Sequence, residues 1–199
     1  MALGLSIIIG GFILVSIGVI ALYIVSIFNG LIQLKNNIKK SFANIDVLLK
    51  QRAEEIPNLM ETVKGYMKYE EKVLKDVTKA RTSFLSAKTV EDKAAADNMM
   101  TAALKTVFAV AENYPKLQAN ENFMQLQNRI SGLENEVADR REFYNDSVNT
   151  YNIRIETFPD RIFAGWMGFT KPEPLRAQLK LRVKRLFTTS RLGDIESIA

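Results

Sequence analysis

The feature that most constrains this chain is its beginning. From Met1 to Leu34 there is no charged residue, and Leu5–Phe28 reads LSIIIGGFILVSIGVIALYIVSIF, apolar but for Ser, Gly and one Tyr. A helix of about 20 residues crosses the ~30 Å hydrocarbon layer of a bilayer, and this run is longer. A cleaved signal peptide fits poorly. No Lys or Arg precedes the run, its length exceeds a normal signal core, and no A-x-A-like site follows it. A lipoprotein signal would need a cysteine, and the chain has none. Residues 1–34 therefore read as a retained transmembrane anchor. Behind it come Lys35, Lys39, Lys40, Lys50 and Arg52 against Asp46 alone, with no charged side chain ahead of it. The positive-inside rule then predicts an outward N-terminus and a cytoplasmic domain. Gly4, Gly11 and Gly18 recur every seven residues, a stripe along which a second membrane helix could approach. Glycine is also simply common in membrane helices, and both readings stand.

After the anchor the apolar pattern becomes strict. Ile38, Phe42, Ile45, Leu49, Arg52, Ile56, Leu59, Val63, Tyr66, Glu70, Val73, Val77, Ala80 and Phe84 alternate spacings of four and three. That is the seam of a coiled coil or helical bundle. It predicts one long helix from Lys35 to about Leu85, kinked near Ala53–Glu55 because Pro57 removes a hydrogen bond. A second seam runs Phe123, Leu126, Ile130, Leu133, Val137, Arg140, Tyr144, then Val148, Tyr151 and Ile155. A shorter helix from about Val90 to Asn113 lies between, with Met100, Leu104, Val107, Ala111 and Tyr114 on one face. Thr89 ahead of Glu91 and Asp92 suits an N-cap, and Ser86–Lys88 and Tyr114–Asn122 suit turns. No strand-like alternation interrupts this pattern. The predicted fold is all-α: an N-terminal transmembrane helix, then an antiparallel bundle of long helices with coiled-coil-like seams, three main helices packed up-down-up.

Arg52, Glu70 and Arg140 stand at seam positions. They could be buried partners that set register, or a functional cluster; more commonly such side chains sit at a bundle's edge, stems packed and heads in water. The residue inventory limits the chemistry. With neither Cys nor His, disulfides, thiol nucleophiles, thiolate zinc sites and imidazole acid–base catalysis are excluded. No catalytic residue, metal site or cofactor is expected.

Ile45–Arg81 reads IDVLLKQRAEEIPNLMETVKGYMKYEEKVLKDVTKAR. This stretch resembles the leading motif of the LemA family: I-D-x-x-L-x-x-R, then I-P-N-L, E-T-V-K-G-Y and a closing T-x-A-R. Glu112-Asn113-Tyr114-Pro115 with Leu117 and Asn120 is similar to the family's E-x-Y-P-x-L-x-x-N turn. Gln125-Leu126, Ile130, Glu134-Asn135, Arg140-Arg141, Tyr144-Asn145 and Tyr151-Asn152 follow in order, and Phe158-Pro159 and Gly168-Phe169 match the closing F-P and G-F. The resemblance covers Lys35 to about Phe169, so that residues 35–170 form a LemA-like helical bundle. It implies a single-pass protein of a prokaryotic cell membrane, with no enzymatic activity and with kin among magnetosome-membrane proteins.

The chain departs from the family after Phe169. Residues 171–199 hold seven basic and three acidic side chains, against near balance between Lys35 and Thr170. Leu175, Leu179, Val183, Leu186 and Phe187 share one helical face, with Arg176, Lys180, Arg182, Lys184, Arg185 and Arg191 around the rest. A basic amphipathic tail is the pattern of a segment lying on anionic lipid, each cation contributing about 1 kcal/mol. Docking on its own bundle is the plainer alternative. Nucleic acid is not expected, because only Phe187 could stack on a base. In an up-down-up bundle, however, the tail would start far from the bilayer that holds the anchor. It would then meet another membrane or a neighbouring subunit, unless the helix order differs. Between bundle and tail, Phe158–Phe169 (FPDRIFAGWMGF) carries four aromatics, including the chain's only Trp. It suits an aromatic cap on the bundle or an interfacial membrane patch. The expected function is a membrane-anchored, self-assembling scaffold, a homo-oligomer that organises a membrane or its proteins. The alternative is an adaptor or signalling stalk that recruits one protein partner of unknown identity.

Overall fold

A computed structural model describes residues 2–172 of the protein. Every regular element among these residues is helical: α1 Ala2–Lys64, α2 Glu71–Ser86, α3 Val90–Ala111, α4 Pro115–Gln118, α5 Glu121–Glu156 and α6 Asp160–Trp166. The all-α expectation holds. Contacts divide these residues into two compact units, one of residues 41–145 and one of residues 2–40 with 146–172. Helices α1 and α5 each contribute to both.

In the unit of residues 41–145 the predicted seams are the core. Ile45, Leu49, Ile56, Leu59 and Val63 on α1 are at most 2% exposed, and Val77, Ala80, Met100, Leu104, Val107, Phe123 and Ile130 are buried with them. Side-chain links between helices fix the directions. Lys93 pairs with Asp46 and Arg52 with Asp97, so α3 runs parallel to α1. Arg129 pairs with Glu55, and Phe42 meets Tyr144 edge-on at 6.0 Å, so α5 returns antiparallel. Arg81 of α2 reaches Ala53 of α1, which makes α2 antiparallel too.

The order is therefore up-down-up-down, not the predicted up-down-up. The predicted single helix from Lys35 to Leu85 is two helices, reversed at residues 65–70. Gly65, a weak helix former, follows the last residue of α1. Tyr66 and Met67 donate backbone N–H bonds to the Val63 carbonyl at 3.0 and 2.9 Å, and Glu70 N–H bonds to the Met67 carbonyl at 3.1 Å. Met67 is fully buried and plugs the corner. Helix α1 continues through Pro57 rather than ending there. A proline leaves the carbonyl four residues earlier without its helical donor. That carbonyl belongs to Ala53, and Arg81 Nε donates to it at 2.9 Å.

The helix starts follow local rules. Thr89 caps α3, its hydroxyl accepting from Asp92 N–H at 3.0 Å, as the sequence predicts. Pro115 opens α4, where its missing N–H costs nothing. Asn120 Oδ1 accepts from Phe123 N–H at 3.1 Å at the start of α5.

In the unit of residues 2–40 and 146–172, α1 is bare over most of its apolar run: Ile7, Phe12, Leu14 and Leu22 are 69–75% exposed. Only at Ile27 and Leu31 does one side become buried. Alongside runs the end of α5, with Val148, Tyr151 and Ile155 buried. Then α6 closes the unit. Gly168 takes a φ of +72° that suits glycine, Gly168 N–H donates to Gly165 O at 3.3 Å, and Phe169 N–H donates to Ala164 O at 3.0 Å. This pair of bonds is a Schellman cap, and it turns Phe169 back onto α1. Phe169 meets Phe28 edge-on at 6.1 Å, and Lys35 Nζ lies 6.0 Å from its ring centre. The end of the bundle's last helix thus returns to the charged margin of the apolar run, contrary to the expectation that it points away.

Candidate functional site

Arg52 is the most consequential polar residue in the 41–145 unit. The common placement of such a side chain, at the bundle's edge with its head in water, does not apply: Arg52 is 0% exposed. Its Nη1 donates to Asp97 Oδ1 at 3.0 Å and Thr101 Oγ1 at 2.9 Å, and its Nη2 donates to Glu134 Oε2 at 3.3 Å. Asp97, also buried, takes a second ion pair from Arg141, and Lys105 lies 3.6 Å from Glu134. One cluster therefore ties α1, α3 and α5 together. Burial raises the Asp97 carboxyl above its ordinary 3.8; Arg141 and Arg52 pull it back, and Glu134 adds to the rise. The other two charged seam residues behave differently. Glu70 is half-buried and accepts from the Tyr114 hydroxyl at 3.1 Å, whereas Arg140 is exposed. Burial, then Glu70 itself, pushes the Tyr114 phenol above 10.0, so it stays a donor.

The sequence pattern did not show that Asp97, Glu134 and Arg141 are the partners of Arg52. A signal was available, since Asp97 sits on the buried face of α3 three residues before Met100. Glu134 and Arg141 were visible only as motif residues, without a role.

Those motif residues are occupied with folding. Arg81 satisfies the carbonyl that Pro57 orphans, Tyr114 ties the α3 end to Glu70, Leu117 is fully buried, and Asn120 caps α5. Asn120 Nδ2 also donates to Tyr66 Oη at 3.4 Å, across the corner that ends α1. Among the described residues no group of three or more His, Cys, Asp or Glu is placed to hold a metal. A hollow of about 480 Å³ opens between α1 and α5, lined by Asn58, Glu61, Asn122, Gln125 and Arg129 among others. It is polar and open, with no buried nucleophile.

The expected oligomerisation residues Gly4, Gly11 and Gly18 are exposed on α1, and a Cβ added at any of them meets nothing within 4 Å. The expected lipid-binding residues Arg176, Lys180, Arg182, Lys184, Arg185 and Arg191 lie outside the described residues. A second basic group, not singled out from the sequence, is visible in the 2–40/146–172 unit. Lys35, Lys39 and Lys171 surround a hollow of about 230 Å³ floored by Ile38, Tyr151 and Pro172. Lys171 is also paired with Glu156. Stretch 7–64 of α1 is the one described helix long and apolar enough to cross a membrane.

Comparison with known proteins agrees with the motifs. The model of the LemA family matches residues 41–184, so the likeness runs past Phe169, where the sequence motifs were expected to end, into the basic tail. Magnetosome protein MamQ 2 of Paramagnetospirillum magneticum is 35% identical over 78 residues, which are 39% of this chain and 29% of that protein. Magnetosome protein MamQ of Magnetospirillum gryphiswaldense is 31% identical over the same shares. Protein LemA of Metamycoplasma hominis is 27% identical over 152 residues, 74% of this chain and 68% of the relative. The match thus spans under a third of the magnetosome proteins' length and about two thirds of the mycoplasma protein's. With the family model covering well over half its length and the motif residues in their structural places, this chain belongs to the LemA family.

Proposed function

We propose that this protein is a membrane-anchored, non-enzymatic scaffold. Its N-terminal helix crosses the prokaryotic cell membrane with the N-terminus outside, and its helical domain self-assembles on the cytoplasmic face to organise the membrane or its proteins. The observation that carries this reading is the continuity of α1, whose apolar stretch passes without a break into a bundle helix. The use of the charged and aromatic motif residues in corners, caps and a buried ion cluster supports a structural role over a catalytic one. Kinship with magnetosome proteins supports work at a membrane. The lysines behind the apolar run support the orientation. The basic tail, residues 171–199, is proposed to add contact with anionic lipid.

A second reading, an adaptor that recruits one protein partner, is favoured by the open polar hollow around Asn58, Gln125 and Arg129. Light scattering of the detergent-solubilised chain separates the two. The scaffold gives a particle several protomers in mass that does not change on dilution, whereas the adaptor gives a monomer. Protease added to intact cells tests the orientation in the same preparation, and digestion of the domain from outside would overturn it.

A further inference from the structure

Among the described residues, large apolar side chains at and just before the last helix are bare. On α6, Asp160 and Ala164 are the docked side, 5% and 2% exposed, with Asp160 paired to Arg154. The opposite side carries Ile162 and Trp166, 60% and 83% exposed, and Phe158 in the turn ahead of the helix is 78% exposed. A Trp, a Phe and an Ile left bare within nine residues are a concentration of apolar surface that a water-facing segment rarely keeps without a partner.

Where this surface sits identifies that partner. Phe169, just past α6, rests on Phe28 and under Lys35. Those two residues bracket the margin of the apolar run: Phe28 ends the LSII…SIF stretch and Lys35 is the first charge. In a bilayer crossed by α1 this margin is the interfacial layer, the depth that Trp prefers. The hollow formed by Lys35, Lys39 and Lys171 opens at the same margin, with Ile38, Tyr151 and Pro172 in its lining and Glu156 paired to Lys171. Basic pockets beside membrane helices at this depth take lipid phosphate.

We propose that α6 lies in the interface of the bilayer that α1 crosses, with Phe158, Ile162 and Trp166 seated among the lipids. The hollow of Lys35, Lys39 and Lys171 receives the phosphate of an anionic phospholipid. This rests on the anchoring reading above. It goes further by fixing a lipid site in the folded unit, to which the basic tail contributes only its first residue, Lys171.

The chain's only Trp is the reporter. The full chain is reconstituted in phosphatidylcholine vesicles brominated either near the glycerol end or near the tip of the acyl chains. Trp166 fluorescence should be quenched more by the shallow bromines, and aqueous acrylamide should quench it weakly. With bromine carried only by a minority of phosphatidylglycerol, quenching should exceed that expected from its mole fraction. Lys35→Gln and Lys39→Gln should each lower this enrichment about fivefold, leaving the depth profile unchanged. Free inorganic phosphate should not compete. A Trp166 that acrylamide reaches freely in a chain that still floats with the vesicles overturns the inference and leaves the anchor intact. A chain that fails to float removes the anchor and this site together. Equal enrichment in the lysine variants, or displacement by free phosphate, overturns the headgroup site. The wild-type depth profile needs no variant, so misfolding of a substituted chain cannot obscure it.

Discussion

Arg52 holds a seam position that packing alone would give to Leu, and its charge is retained by partners on two other helices. A buried ion pair is seldom a net gain over apolar packing, but removing one partner strands the others. Arg52→Met should therefore cost roughly 3–5 kcal/mol, because Asp97 would keep only Arg141 while facing Glu134. Arg52→Lys should recover little of that, since an ammonium cannot span Asp97, Thr101 and Glu134 as the guanidinium fork does. Asp97 gives the cluster a pH signature. Its pKa is raised in the fold, so the folded chain holds that proton more readily than the unfolded chain. The contribution to stability is then fullest at low pH and declines as pH rises from 3.8 through the raised value. Chemical unfolding of the solubilised chain between about pH 4 and 7 should show the advantage of wild type over Asp97→Asn shrinking as pH rises. An advantage that grows instead would mean that Arg141 and Arg52 outweigh desolvation.

Helix α1 survives a proline because α2 folds back and repairs it. Ala53 is 1% exposed, so no water reaches the carbonyl that Pro57 leaves open, and Arg81 is its donor. Arg81→Met should cost about 1–3 kcal/mol by orphaning that carbonyl. In a Pro57→Ala background residue 57 regains an N–H, and the same substitution should cost less than half as much. Equal costs in the two backgrounds would show that Arg81 acts on something other than the proline's missing bond. The same pair marks the limit of what periodicity reveals. The seam from Ile38 to Phe84 was legible because three-four spacing buries one face of any helix, and ten of its fourteen residues are buried. It could not reveal the reversal at Gly65–Glu70, since Tyr66 and Glu70 keep the spacing through the corner. Thr89 was legible as a cap because capping is local. The Arg52 cluster was legible only by half: a charge at a seam position shows, but its partners lie 45 and 82 residues away and no local rule names them. The burial of Ile27 and Leu31 was hidden for a different reason, because in a uniformly apolar run no residue stands out as core.

Self-assembly, if it runs through the span, should leave a trace at the glycines. Gly11 and Gly18 border open space among the described residues, and a Cβ added at either meets nothing within 4 Å. Both have ordinary helical backbones, with positive φ confined to Gly168 among the described residues. Replacing them by Leu should therefore leave the fold of the monomer untouched and even favour the helix slightly. Any loss would have to come from a second helix that needs close backbone approach, the arrangement small residues permit in membranes. Gly11→Leu with Gly18→Leu should thus lower the particle mass of the solubilised chain while helix content and unfolding midpoint stay level. The bundle offers an independent check, because a scaffold held together by its soluble helices would keep its mass in this variant. An unchanged mass would move the interface from the membrane to the exposed faces of α2, α3 and α5. A reduced mass with a reduced midpoint would instead mean that assembly and folding are linked through α1, as expected of a helix that serves both span and bundle.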